Sequence, residues 1–179
     1  MGLHPQAVSV FMLLRSNSPL HGGILDGLKA LKSAHVRDHL DEAIRPAFAD
    51  SLDLDAALLR GNEQQHRWDY LMGHMPSGEV IAMEPHSANS KGVKAVIAKR
   101  EAARLHLRAH LKPGARISAW LWIASGKVDF AHTEKAIRLL DQNGITFVGK
   151  QVLPKHLPAA SVPVSAKPPK KRRPKPSIS

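Results

Sequence analysis

The stretch from Arg67 to Lys99, RWDYLMGHMPSGEVIAMEPHSANSKGVKAVIAK, constrains the fold more than any other part of the chain. Arg67–Gly73 and Glu79–His86 are apolar runs of strand length. Between them, His74-Met75-Pro76-Ser77-Gly78 has the composition of a hairpin connection. A helix follows from about Ser90 to Leu111, stopped by Lys112-Pro113-Gly114. The order is therefore strand, turn, strand, helix. Each strand carries one acid, Asp69 or Glu84, and the helix carries Lys94 and Lys99.

The flanking sequence extends this into an α/β arrangement. Val36, Leu40 and Ile44 recur every four residues, which predicts a helix over Leu28–Arg45, ended by Pro46. Ser51–Leu59 fits either a short helix or a first strand. Ala115–Ala124 (ARISAWLWIA) reads as a strand with Trp120 and Trp122 on one face. Thr133–Gln142 reads as a helix stopped by Asn143-Gly144, and Ile145–Leu153 as a returning strand. The hairpin implies antiparallel pairing, and the long helix before Ala115 permits a parallel crossover. The expected fold is a single α/β domain over residues 29–153, a mixed sheet flanked by helices in an αβββαβ-like core. Residues 1–28, with weak periodicity and turn signals at Ser16-Asn17-Ser18-Pro19 and Gly22-Gly23, are expected to form a loosely packed N-terminal arm.

Charge separates the chain into two parts. The net charge is +11, yet none of the 15 acidic residues lies beyond Asp141, and eight of the 26 lysines and arginines lie in residues 150–179. That leaves a body near neutrality and a strongly basic end. Seven of the thirteen prolines fall from Pro154 onward, with few large apolar groups. Such a segment cannot bury enough surface to offset its ordering entropy, so residues 154–179 are expected to form a disordered basic tail. Lys170, Lys171, Arg172, Arg173 and Lys175 would bind nucleic acid there through counterion release, with little sequence preference. No apolar run approaches the roughly 20 residues of a spanning helix, so no membrane span is expected. The absence of cysteine removes disulfides, thiolate metal sites and cysteine nucleophiles, and fits a reducing cytoplasm.

Two carboxylates brought together across a hairpin, with a cation beside them, suit a hard divalent metal such as Mg²⁺ and a phosphodiester. An acid on one strand and Glu-x-basic on the next resembles the PD-(D/E)XK nuclease superfamily, the restriction-endonuclease-like fold, over roughly residues 28–124. The resemblance implies that Asp69 and Glu84 ligate the metal. It places His86 where lysine usually stands, and members exist in which a helical lysine takes that role, here Lys99 or Lys94. The two lie about 140° apart on a helix, so both cannot face one site. Lys99, flanked by Val96, Ile97 and Ala98, is the better placed. Three residues depart from the pattern. Trp68 replaces the preferred proline, His86 replaces lysine, and Pro85 removes a backbone donor from a central strand.

Other groupings compete. His35 and His39 stand at metal-ligand spacing with Asp38 and Glu42 on the same helical face. That face lies opposite Val36, Leu40 and Ile44 and is expected to meet solvent. In the nuclease-like fold a first-helix glutamate sometimes joins the metal site, which gives Glu42 a separate claim. His106 and His110 repeat the spacing without a carboxylate, and read as surface histidines. Trp120 and Trp122 suit core packing better than base stacking. The functional expectation is a nucleic-acid-associated protein with Mg²⁺-dependent phosphodiesterase activity. The alternative is a catalytically inactive nuclease-like fold that binds nucleic acid or a protein.

Overall fold

A computed structural model describes residues 9–129 and 134–161. The hairpin forms its centre. β3 (Tyr70–His74) and β4 (Glu79–Ala88) pair antiparallel, with Tyr70 opposite Met83 and His74 opposite Glu79. Because side chains alternate along a strand, Val80, Ala82 and Glu84 face one side of the sheet while Ile81 and Met83 face the other. Two strands precede the hairpin, β1 (Ile24–Asp26) and β2 (Phe48–Asp53), each antiparallel to its neighbour. Two follow it, β5 (Ala119–Val128) and β6 (Thr146–Phe147), each parallel to its neighbour. Six strands thus lie in sequence order in one mixed sheet, a meander followed by two crossovers.

The crossovers set the layers. α4 (Ser90–Leu107) joins β4 to β5, and α5 (Glu134–Gln142) leads into β6. Val93, Val96, Ala103 and Leu107 of α4 and Leu140 of α5 share one core with Trp68, Trp120 and Trp122. Both helices therefore cover the face of the sheet that carries Glu84. The short helices α1 (Val10–Leu13) and α3 (Leu54–Leu58) join the same layer. Behind the sheet, Leu31, Leu40, Ile44 and Val152 pack on Phe48, Met72, Ile81 and Ile123 from segments with little regular structure. Among the described residues, no helix is long and apolar enough to cross a membrane.

α4 starts where Asn89 caps it, its side chain accepting from Gly92 N at 2.9 Å. Gly92 is there for space. A methyl group at this position would press onto the Ser87 carbonyl oxygen and lie 3.2 Å from the Trp122 ring. Helix propensity favours alanine by about 1 kcal/mol, but overpacking against backbone costs about 1–3 kcal/mol. Gly92→Ala is therefore expected to lower stability, read as a lower denaturation midpoint in urea; a higher midpoint would show that α4 shifts freely.

Several expectations need correction. The segment before Leu28 is not a loose arm over its described part. Asp50 accepts from Val10 N at 2.9 Å and Phe11 N at 3.0 Å, and Val10, Leu13, Leu14 and Leu20 are buried. Leu28–Arg45 is not one helix. It contains only α2 (Ala34–Arg37), then a 3-10 turn over Glu42–Ala47 that Asp41 caps. Four-residue spacing buries Leu40 and Ile44 equally well through two turns, each begun by a capping side chain, Ser33 or Asp41. Ser51–Leu59 is both alternatives in turn, the end of β2 and then α3. The long helix ends at Leu107, and β6 has only two residues of the expected nine. The chain from Pro154 to Ser161 is also placed: Ser161 donates to the carbonyls of Pro76 (2.9 Å) and Ser77 (2.6 Å), and Leu157 packs behind the sheet. The basic residues Lys170, Lys171, Arg172, Arg173 and Lys175 lie outside the described residues.

Candidate metal and phosphodiester site

Asp69 lies one residue before β3, and extending the Tyr70–Met83 register places it directly across from Glu84. Its backbone is fixed from both sides. The Asp69 carbonyl accepts from Leu54 N at 2.8 Å, at the start of α3, and its N–H donates to Glu84 Oε2 at 3.0 Å. Glu84 is fully buried, opposite Trp122 on the β5 side. Lys99 reaches down from α4 and donates to Glu84 Oε1 and, at 3.4 Å, to Asp69 Oδ1. A strand, the residue preceding its partner strand and a helix thus converge on one point.

His86 lies two residues beyond Glu84 on the same face, its Nδ1 3.8 Å from Glu84 Oε1. Trp122 Nε1 donates to the His86 carbonyl at 3.2 Å, which fixes the strand there. Pro85 costs no ladder bond. Val80 O accepts from Ser118 N on the β5 side, so strand alternation turns position 85 toward β3. β3 has already ended there, its last pair being Tyr70 with Met83. Trp68 sits in the core, its ring edge-on to Trp120 at 5.0 Å between centroids. Lys94 is exposed and does not join the site.

The remaining groupings have structural work. His39 is buried rather than solvent-facing, its Nδ1 3.0 Å from the Lys150 carbonyl and its ring edge-on to His35. Asp38 pairs with Arg45, and Glu42 is exposed beside the core behind the sheet, away from Glu84. His106 contacts Gln65 Oε1 at 2.7 Å and His110 contacts Ser18 Oγ at 3.0 Å. Both Trp120 and Trp122 are core residues.

Burial governs the electrostatics. It pushes the Glu84 carboxyl up to about 8, reinforced by the Asp69 carboxylate and opposed by Lys99. Asp69 is raised by burial, again against Lys99. Burial also works against the Lys99 ammonium, but Glu84 and Asp69 together outweigh it and hold its pKa above the usual lysine value. His86 is lowered by burial and by Lys99. Burial is the larger cause of the Glu84 shift, and the neighbouring Asp69 carboxylate adds to it. Two carboxyl groups whose oxygens converge on one point fit Mg²⁺, which is commonly held by one or two carboxylates and keeps several waters.

A carboxyl with a raised folded-state pKa holds more protons when folded than when unfolded, so stability falls as pH rises across that interval. His74, His86, His110 and His156 are lowered chiefly by burial from 6.5, and they act in the opposite sense below that value. The window from pH 7 to about 8 therefore belongs to Glu84. Urea denaturation in EDTA is expected to show stability falling across this window, and Glu84→Gln is expected to remove the fall. A flat wild-type profile would mean that the carboxyl is ionised throughout.

Comparison with family models, with curated proteins and with solved structures finds no match to this chain.

Proposed function

We propose that this protein is a divalent-metal-dependent phosphodiesterase acting on nucleic acid, with a site of the PD-(D/E)XK kind. The observation that carries the reading is the convergence of Asp69, the fully buried Glu84 and Lys99 on one point at the edge of the hairpin. A buried carboxylate beside a second carboxylate is costly, and such arrangements concentrate at functional sites.

Asp69 and Glu84 would hold Mg²⁺ or Mn²⁺. When bound, the metal supplies neutralisation of the charge that develops on the phosphate. The chain's own groups divide the remaining work. The carboxylates hold Lys99 protonated, so its Nζ is a cationic donor for a phosphate oxygen and not a base. His86 is neutral near pH 7 and offers a lone pair to accept a proton from water or to bond a ligand of the metal. Trp122 and the Asp69 N–H fix these groups, which keeps the geometry from depending on the substrate. The basic residues Lys170–Lys175 would add sequence-independent affinity for the polyanion.

The test is cleavage of labelled single-stranded, duplex and branched DNA and of RNA, with Mg²⁺ or Mn²⁺ and with EDTA. Cleavage that EDTA abolishes is the expected result. Binding without cleavage under every metal condition would leave a nuclease-like binding module instead.

A further inference from the structure

A second charged feature of α4 plays no part in the site above. Arg100, Arg104 and Arg108 recur every four residues, a rise of about 6 Å per step along the helix. Arg116, in the loop before β5, joins them, and with Trp120 they line a cavity of about 290 Å³. The stripe begins about 100° around the helix from Lys99 and lies on the flank facing the α5–β6 turn, where Arg100 approaches Gly144. The metal site and this cavity therefore sit on different flanks of α4.

The cluster holds four arginines and a single carboxylate. Glu101 serves both Arg100 Nη1 at 3.2 Å and Arg104 Nη1 at 3.1 Å. Among the described residues no carboxylate pairs with Arg108 or Arg116. The Arg100 guanidinium lies 5.3 Å from the Trp120 ring centroid, and its Nε is buried without a hydrogen-bond partner. Four like charges around one cavity repel each other, and an anion between them would relieve that. Guanidinium forks match phosphate oxygens two at a time. From Arg100 to Arg108 the stripe spans about 12 Å, and Arg104, Arg108 and Arg116 are exposed. A single small anion would not reach along it, whereas a row of phosphates would.

We propose that this arginine-lined groove binds the sugar-phosphate backbone of nucleic acid, as a docking surface separate from the metal site. The choice of nucleic acid rests on reading the metal site as a phosphodiesterase; the anion-binding chemistry does not.

The experiment uses the full chain in EDTA. Binding of labelled single-stranded and duplex DNA is followed by anisotropy over a salt series. Arg104→Gln/Arg108→Gln/Arg116→Gln is expected to weaken binding more than tenfold and to reduce the salt slope by about 2–3, since each lost phosphate contact contributes about 0.7–0.9. All three side chains are exposed, and an unchanged thermal midpoint confirms that the variant folds. Lys29→Gln, which removes one exposed charge beside β1 at the other edge of the sheet, controls for the loss of a surface cation outside the stripe and is expected to leave the slope unchanged within error. An unchanged slope in the triple variant overturns the proposal. So does arginine-dependent binding of inorganic phosphate with no arginine-dependence for DNA, which would mark a small-anion site. Cleavage of the same DNAs with Mn²⁺ in place of EDTA separates the two readings. Its absence in the wild type defeats the catalytic reading while leaving arginine-dependent DNA binding intact.

Discussion

Glu84→Gln is expected to reduce metal-dependent cleavage by more than about a hundredfold, because the metal's contribution to the transition state amounts to several kcal/mol and each 1.36 kcal/mol is tenfold. Glutamine keeps the shape of the side chain. Its carbonyl oxygen can still accept from Lys99 Nζ, so the helix-to-strand contact is preserved. What is lost is the charge and one acceptor, since the amide NH2 then faces the Asp69 N–H that donates to Oε2 in the wild type. Asp69→Asn should behave in the same way for the same reason. Alanine is the poorer choice, since Glu84→Ala would leave a void beside Trp122 and remove one of the two acceptors of Lys99. Metal binding gives a second readout that needs no substrate. A ligand that binds the folded state raises the unfolding midpoint with concentration, so Mn²⁺ should raise it for the wild type and much less for either variant. Should Glu84→Gln cleave at the wild-type rate, the activity comes from another site or another protein and the catalytic reading falls. Combined with the pH behaviour in EDTA, the same substitution is expected to give a protein that is less active and whose stability no longer falls toward pH 8.

The juxtaposition of Asp69 and Glu84 was legible in the sequence because hairpin geometry is local. Once Arg67–Gly73 and Glu79–His86 are read as paired strands, period-two alternation puts Asp69 and Glu84 across from each other. Lys99 was legible from its apolar neighbours, since a lysine that follows Val96, Ile97 and Ala98 leans toward the core to reach a partner. What escaped was long-range. The Asp50 carboxylate that anchors α1 lies some forty positions from the backbone groups it bonds, and nothing near Val10 signals it. Leu40 and Ile44 satisfy a helical spacing that two short turns satisfy as well, so periodicity alone could not choose. The apparent penalty at Pro85 disappears only when β3 is known to end at Tyr70. The arginine row at 100, 104 and 108 could be read as a helical stripe, but Arg116 joins it only through the loop that returns to β5.

Lys99→Met tests the cation, and its expected signature differs from that of the acids. Methionine fills much the same volume and keeps the apolar stem, but removes the ammonium that both carboxylates share. Divalent metal binding should then be retained or tightened, because a competing positive charge has gone. Cleavage should fall by roughly a hundredfold, the scale of losing one preorganised electrostatic donor. Loss of metal binding and cleavage together would instead make Lys99 a scaffold for the acids. Stability separates the roles further. Removing one partner of a buried ion pair costs about 3–5 kcal/mol when the remaining charge is trapped. Glu84 has an escape, since a carboxyl already pushed up to about 8 takes up a proton more readily once Lys99 is absent. The variant should therefore unfold only slightly more easily than the wild type at pH 6, and progressively more easily as pH rises past 8 in EDTA. Mn²⁺, by replacing the missing positive charge, should restore much of that loss. A pH-independent loss that Mn²⁺ leaves untouched would mean that Lys99 contributes packing alone, and the electrostatic link from its ammonium to Glu84 would then fall.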